Sequence, residues 1–213
     1  GIGVAARIVG REGKVSTPLF RHVLEANLFG TYNVMTYAAQ AMMDLPPLDT
    51  GERGVIINTA SAAYEDGQIG QAAYAASKGA IASMTLPAAR EFAKLGVRVM
   101  TIAPGLFETP MMEELPPETV AGIVENIPFP HRLGQPEEYA HLAADIARNA
   151  YLNGTVIRLD GAVRLPSGER GSRGVGIFAQ VRPVGLLRLL GIGAARTRAA
   201  CRLLGWFATG GTG

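Results

Sequence analysis

Gly54-Val55-Ile56-Ile57-Asn58-Thr59-Ala60-Ser61 leads into Ala62-Ala63-Tyr64-Glu65-Asp66-Gly67-Gln68-Ile69-Gly70-Gln71-Ala72-Ala73-Tyr74-Ala75-Ala76-Ser77-Lys78. The first eight residues form a short, β-branched apolar run bounded by polar residues, the pattern of a buried parallel strand. Ser61 is therefore expected at the carboxyl end of a strand. A glycine-containing loop follows, and then an alanine-rich, helix-forming segment in which Tyr74 and Lys78 stand four residues apart. That spacing puts both side chains on one helical face. A strand, a loop and a long helix in this order predict an α/β domain with a parallel sheet.

The residue types at these positions suit proton transfer. A free phenol has a pKa near ~10, so a neutral tyrosine needs a nearby positive charge to favour its phenolate. Lys78 is expected to supply that charge and lower the pKa of Tyr74. A catalytic pKa near the working pH favours proton exchange, and the Ser61 hydroxyl can hold a substrate oxygen in line. Interconversion of an alcohol and a carbonyl fits the set. A tyrosine and lysine at this spacing also recur by chance, so the pair needs its surroundings to carry weight.

Working outward, Ser16-Thr17-Pro18 predicts a helix start with a capping hydroxyl and an early proline. Apolar residues at Phe20, Val23, Leu24, Leu28, Val34, Met35 and Ala38 recur at helical spacing from Leu19 to about Met43, with Asn27 inside. Pro46-Pro47 and Thr50-Gly51 end that element. Downstream, the helix from about Tyr74 to Leu95 contains Pro87, expected to bend or interrupt it unless packing accommodates the ring, and Gly96 ends it. Val97 to Ala103 reads as a second strand, and Pro104-Gly105 turns the chain at its carboxyl end, where ligands sit in open α/β sheets. Residues 106–135, rich in methionine and proline, are expected to form a substrate lid; a loop packed on its own domain is the plainer reading. Pro136-Glu137-Glu138 starts a helix to about Asn149, and Val156 to Leu159 is a third strand. His22, His131 and His141 lack metal-site spacing and are assigned surface or capping roles.

Taken together, these motifs resemble the short-chain dehydrogenase/reductase family. Ser61, Tyr74 and Lys78 match its serine and Tyr-x-x-x-Lys, Asn27 in Glu25-Ala26-Asn27-Leu28 matches its helical asparagine, and Ala103-Pro104-Gly105 with Thr109-Pro110 matches its Pro-Gly segment. Asn153 to Gly161 matches its last strand. Within the family, Gly54 to Ser61, Ala103 to Phe107 and Pro128-Phe129-Pro130 are similar to the type 2 3-hydroxyacyl-CoA dehydrogenases. The resemblance covers residues 1 to about 165. It implies an incomplete Rossmann-like doubly wound parallel sheet, its carboxyl-terminal half, with the catalytic residues Asn27, Ser61, Tyr74 and Lys78. It also implies cofactor contacts at Gly1, Ile2, Tyr74, Lys78, Pro104, Gly105 and Thr109. The implied cofactor is NAD, with NADP open because the residue that separates them normally follows the second strand. The implied substrate is a 3-hydroxyacyl-CoA or related secondary alcohol; a 3-oxoacyl-carrier-protein reductase is the alternative within enzymes. Gly1-Ile2-Gly3 lacks the preceding strand of a phosphate loop and instead resembles the end of the family's Asn-x-Ala-Gly motif, so the phosphate-binding half is expected to be missing. Family members commonly form homo-oligomers through their two long helices.

The chain of 213 residues fits one domain. The net charge of +2 is uneven, because from Arg164 onward eight arginines face only Glu169, leaving the preceding residues net acidic. The Arg/Gly/Leu-rich tail, residues 166–213, has three readings: a basic amphipathic stretch on an anionic membrane, a partner-binding extension, or the product of a damaged reading frame. The third is favoured, since an expected amino-terminal truncation and a foreign carboxyl end coincide in one chain. A catalytically silent remnant or interaction module is accordingly the second reading of the whole. No nucleic-acid partner is expected. A lone cysteine, Cys201, precludes an internal disulfide framework. No signal peptide or transmembrane span is expected, and the expected compartment is the cytoplasm, with the mitochondrial matrix open.

Overall fold

Three parallel strands in the order β1-β2-β3 form the sheet, β1 being Gly54–Thr59, β2 Val97–Pro104 and β3 Val156–Leu159. The computed structural model describes residues 1–109, 112 and 117–167. The expectations for the tail therefore lie outside the described residues, except at Pro166 and Ser167. The register runs from Gly54 opposite Val97 to Thr59 opposite Ile102, and from Thr101 opposite Val156 to Pro104 opposite Leu159. Among the described residues, β1 has a strand partner on one side only.

Alternation along the strands assigns the layers, because successive side chains point to opposite faces. Ile56, Val97 and Val99 pack with Met35, Ala39, Ala88 and Ala89. These come from helices α2 (Gly30–Met43) and α3 (Ala72–Phe92). On the other face, Met100 and Ile102 pack with Ile146 and Leu142 of α5 (Pro136–Arg148). Strand β2 is thus buried on both faces, which accounts for a sequence that is apolar except at Arg98 and Thr101. Its one core hydroxyl, Thr101, meets Thr85 at 2.6 Å.

The first long helix differs in detail from its expectation. It comprises α1 (Thr17–Leu24), a π-helical turn (Glu25–Phe29) and α2. Val23, Asn27, Met35 and Ala39 are buried, whereas Phe20 and Val34 are exposed. A pure α-helix advances 3.6 residues per turn, so a row spaced by four drifts around it; the wider π turn offsets part of that drift and keeps Asn27 in line with Met35. The expected Ser16 cap is also corrected. Ser16 makes no side-chain cap and instead donates to the Ile8 carbonyl at 3.4 Å, because the Val9–Val15 bridge folds the preceding chain back.

Helix α3 continues unbroken through Pro87, whose neighbours Ala88 and Ala89 are buried. A short 3-10 turn and Gly96, at φ +70°, then end it. The segment expected as a lid contains a helix, α4 (Pro117–Val124). Ile123 and Ile127 join Met112, Leu133 and Val163 in one apolar cluster. The described part of this segment is therefore packed on its own domain. Pro117 stands at the first position of α4 and Glu118 in its first turn, both favourable at a helix start.

Candidate active site

Ser61 follows β1 and caps a 3-10 turn, Ala62–Tyr64; its Oγ accepts from the Ala63 amide at 3.3 Å. Tyr74 and Lys78 lie on the first turns of α3, one turn apart. The Tyr74 phenol and the Ser61 side chain face the same cavity, and Ser61 acts on the phenol so as to favour its phenolate. The Lys78 ammonium lies 5.8 Å from the Tyr74 ring centroid and donates to the Thr59 carbonyl at 2.9 Å. Lys78 is 9% exposed.

Burial governs the electrostatics. It raises the Tyr74 pKa above the ordinary phenol value, and the Ser61 hydrogen bond opposes that rise. Burial likewise lowers Lys78 to about 8. The net lowering of Tyr74 expected from Lys78 is thus corrected: desolvation penalises both charged forms, and the ammonium is anchored on a backbone carbonyl. Ser61 thus favours the phenolate.

Asn27 is buried in the π turn. Its Oδ1 accepts from the Ile2 amide at 2.7 Å, while Nδ2 donates to the Ile2 carbonyl at 2.9 Å and to Ser77 Oγ at 3.1 Å. Ser77 Oγ in turn donates to the Tyr74 carbonyl at 2.7 Å. Asn27 therefore joins the Gly1–Gly3 segment to the helix carrying Tyr74. At Gly1 a Cβ would come within 2.7 Å of Asn27 Oδ1, so only glycine permits that approach.

Ser61, Tyr74 and Lys78 open into one cavity of about 420 Å³ with Gly1, Ile2, Pro104, Gly105 and Thr109 in its wall. That size is typical of small-molecule sites. Of the nine residues singled out in the sequence, eight line this cavity, and Asn27 lies behind Ile2. The other walls include Thr59, whose hydroxyl meets Tyr139 at 2.7 Å, and Phe107, set edge-on to the Tyr139 ring. Leu165 also reaches the cavity. Sequence reasoning missed these, as it missed Arg158, which ion-pairs with Glu65, Asp66 and Asp160. A lone cation in the apolar run Val156-Ile157-Arg158-Leu159 was the available signal for Arg158. His22, His131 and His141 are exposed, and no cluster suited to a metal ion occurs among the described residues.

Residues 3–119 match the family described as short chain dehydrogenase. The chain belongs to that family. Human 3-hydroxyacyl-CoA dehydrogenase type-2 is 53% identical to this short-chain dehydrogenase over 167 residues, covering 78% of this chain and 64% of the human protein. Human (3R)-3-hydroxyacyl-CoA dehydrogenase is 38% identical over 143 residues, covering 66% of this chain and 52% of that protein. A crystal structure of 3-hydroxyacyl-CoA dehydrogenase type-2 from Mycobacterium avium is 46% identical, with a TM-score of 0.76 over 78% of this chain and 65% of that one. The chain thus spans about 64% of the length of the human type-2 relative. The parallel sheet and its flanking helices are the Rossmann-like α/β core of a short-chain dehydrogenase. No helix among the described residues is long and apolar enough to cross a membrane.

Proposed function

We propose that this chain is the catalytic part, residues 1–165, of a nicotinamide-dependent oxidoreductase that interconverts a 3-hydroxyacyl-CoA, or a related secondary alcohol, with its ketone. The observation that carries the reading is the convergence of Ser61, Tyr74 and Lys78 on one cavity that Pro104, Gly105 and Thr109 also line. Supporting the acyl substrate are the apolar Leu106, Met112 and Leu165 in the same wall and the names of the relatives.

In the oxidative direction Tyr74 takes the hydroxyl proton of the substrate; in reduction it returns one to the carbonyl oxygen. Ser61 holds that oxygen and favours the phenolate by hydrogen bonding. Lys78 would hold the nicotinamide ribose through its remaining N–H groups, with Gly1 and Ile2 in the same wall. Asn27 positions Ile2; a proton relay through water at Asn27 would use the free lone pair of Oδ1. A nicotinamide cofactor bound here supplies or accepts the hydride, while the protein orients and polarises. The residues present fit the reactive end of such a cofactor. The proposed cofactor is NAD, with NADP as the alternative, and the proposed compartment is the cytoplasm, with the mitochondrial matrix as the alternative. A homo-oligomer is also proposed, supported by exposed Tyr32, Val34 and Tyr37 on α2.

The second reading, a silent remnant or interaction module, draws on the three-stranded extent of the sheet among the described residues. Titration with NADH or NADPH, followed by cofactor fluorescence, separates the two. Saturable binding with consumption of NADH on adding a 3-ketoacyl-CoA supports the enzyme, and absence of saturable binding sinks it. In the active protein Tyr74→Phe is expected to lower kcat by about 10²–10⁴-fold while leaving the Kd for NADH nearly unchanged. Retention of most turnover would reject the acid/base role.

A further inference from the structure

Arg158, near the end of β3, distributes its guanidinium over two segments of chain. On its own side, Nε donates to Asp160 Oδ2 at 2.7 Å and Nη2 to the Val163 carbonyl at 3.2 Å. On the far side, Nη1 pairs with Glu65 and Nη2 with Asp66 Oδ2 at 2.6 Å. Arg158, Asp66 and Asp160 have side-chain exposures of 16%, 15% and 8%, so those two pairs are shielded from water and weakly screened, whereas Glu65, 48% exposed, forms the outer pair. Glu65 and Asp66 end the turn that begins at Ser61. Within that turn the Asp66 and Glu65 amides bond to the Ala62 carbonyl at 3.1 and 3.2 Å, the Tyr64 amide bonds to the Ser61 carbonyl at 3.0 Å, and the Ala63 amide holds Ser61 Oγ. A short path of hydrogen bonds and the covalent links between them therefore joins the guanidinium to the serine hydroxyl.

We propose that Arg158 is a positioning residue for Ser61, clamping the turn 62–66 to the end of β3 so that the serine hydroxyl stays aimed at Tyr74. Its significance for turnover rests on the oxidoreductase reading above; its geometry does not. The planar fork of an arginine engages several carboxylates at once, which a lysine point charge cannot reproduce fully. Arg164 is a poor substitute: it is 63% exposed and reaches Asp160 and Asp66 only at 3.5 and 4.0 Å. The same clamp meets the chain after β3 a second time, where the Ile69 amide donates to the Ser167 carbonyl at 3.0 Å.

The test uses the full chain labelled with ¹³Cζ-tyrosine, with the Tyr74 resonance assigned from Tyr74→Phe. Ser61→Ala sets the signature of a lost Ser61–Tyr74 bond, a moved resonance and a higher titration midpoint. Arg158→Met is expected to reproduce that signature, Arg158→Lys to restore part of it, and Ser61→Ala combined with Arg158→Met to add nothing further. An Arg158→Met chain whose other tyrosine resonances are unchanged and whose Tyr74 behaves as wild type overturns the proposal, because a role in stability alone would lower only the melting temperature. If Arg158→Met does not fold, Asp66→Asn carries the same expectation at smaller size, and a wild-type Tyr74 signal there overturns it equally. In an active protein kcat should fall about tenfold or more with the Kd for NADH unchanged. Absence of turnover in the wild type would sink the enzyme reading while leaving the Tyr74 resonance to decide this one.

Discussion

Lys78 is where the chemistry of the site and the stability of the fold meet. Its side chain is 9% exposed, and burial brings its pKa from 10.5 to about 8. Between those two values the unfolded chain still holds the proton that the folded chain has released. Stability therefore rises with pH across that window and levels off above it. Below about 8 both states are protonated, and the folded state bears the full penalty, on the order of 3 kcal/mol. Lys78→Met removes this dependence, although it also strips a donor from the Thr59 carbonyl. Urea unfolding midpoints of wild type and variant, compared at pH 7 and pH 10, should converge or cross in favour of the wild type as the pH rises. A difference that stays constant over that range would show that Lys78 is not desolvated by the fold.

At the level of elements, the decisive junction is between the carboxyl ends of β2 and β3. Gly105 follows β2, and its amide bonds to the Leu159 carbonyl at 2.9 Å. A Cβ at Gly105 would lie 2.7 Å from Asp160 Cβ and 2.8 Å from Asp160 Cα. Backbone cannot swing aside as a side-chain tip can, so Gly105→Ala must part the two strand ends. Overpacking of this kind costs about 1–3 kcal/mol. The expected outcome is a melting temperature lower by several degrees, together with weaker NADH binding, since Gly105 lines the cavity; an unchanged melt would show the junction to be slack. This junction was half legible in the sequence. The three strands were readable because each is rich in β-branched apolar residues between polar or glycine boundaries, and Pro104-Gly105 marks where β2 stops. The π turn at Asn27 was not, because a change from α to π hydrogen bonding has no compositional mark. Helix α4 was hidden because Pro116 and Pro117 read as chain breaks, although proline also favours the first helical position. Tyr74, Ser61 and Lys78 were legible from their spacing together with the surrounding motifs. Arg158 was not placed, since its partners Glu65 and Asp66 lie more than 90 residues away and local periodicity carries no such information.

Across the whole described fold, the end of the sheet opposite the cavity is held by one buried cation. Arg98 on β2 is 6% exposed. Its Nη1 donates to the Ile146 and Leu152 carbonyls at 3.0 and 2.8 Å, and its Nη2 to the Ala147 carbonyl and to Glu52 Oε1 at 3.0 and 2.9 Å. Three segments distant in sequence therefore meet on one guanidinium: the loop before β1, the last turn of α5 and the loop before β3. A cation at a helix carboxyl end also complements its dipole. Removing the arginine leaves Glu52, 14% exposed, as an uncompensated carboxylate and several carbonyls without donors. Breaking a buried pair in this way costs about 3–5 kcal/mol, a large share of the roughly 5–15 kcal/mol by which domains are stable. Arg98→Met should therefore lower the urea midpoint severely or prevent folding, whereas Glu52→Gln, which keeps an acceptor in place, should cost much less. Arg98→Met combined with Glu52→Gln should recover part of the loss, because the stranded charge is gone. If the double variant is no more stable than Arg98→Met, the carbonyl contacts rather than the ion pair hold this end of the molecule together.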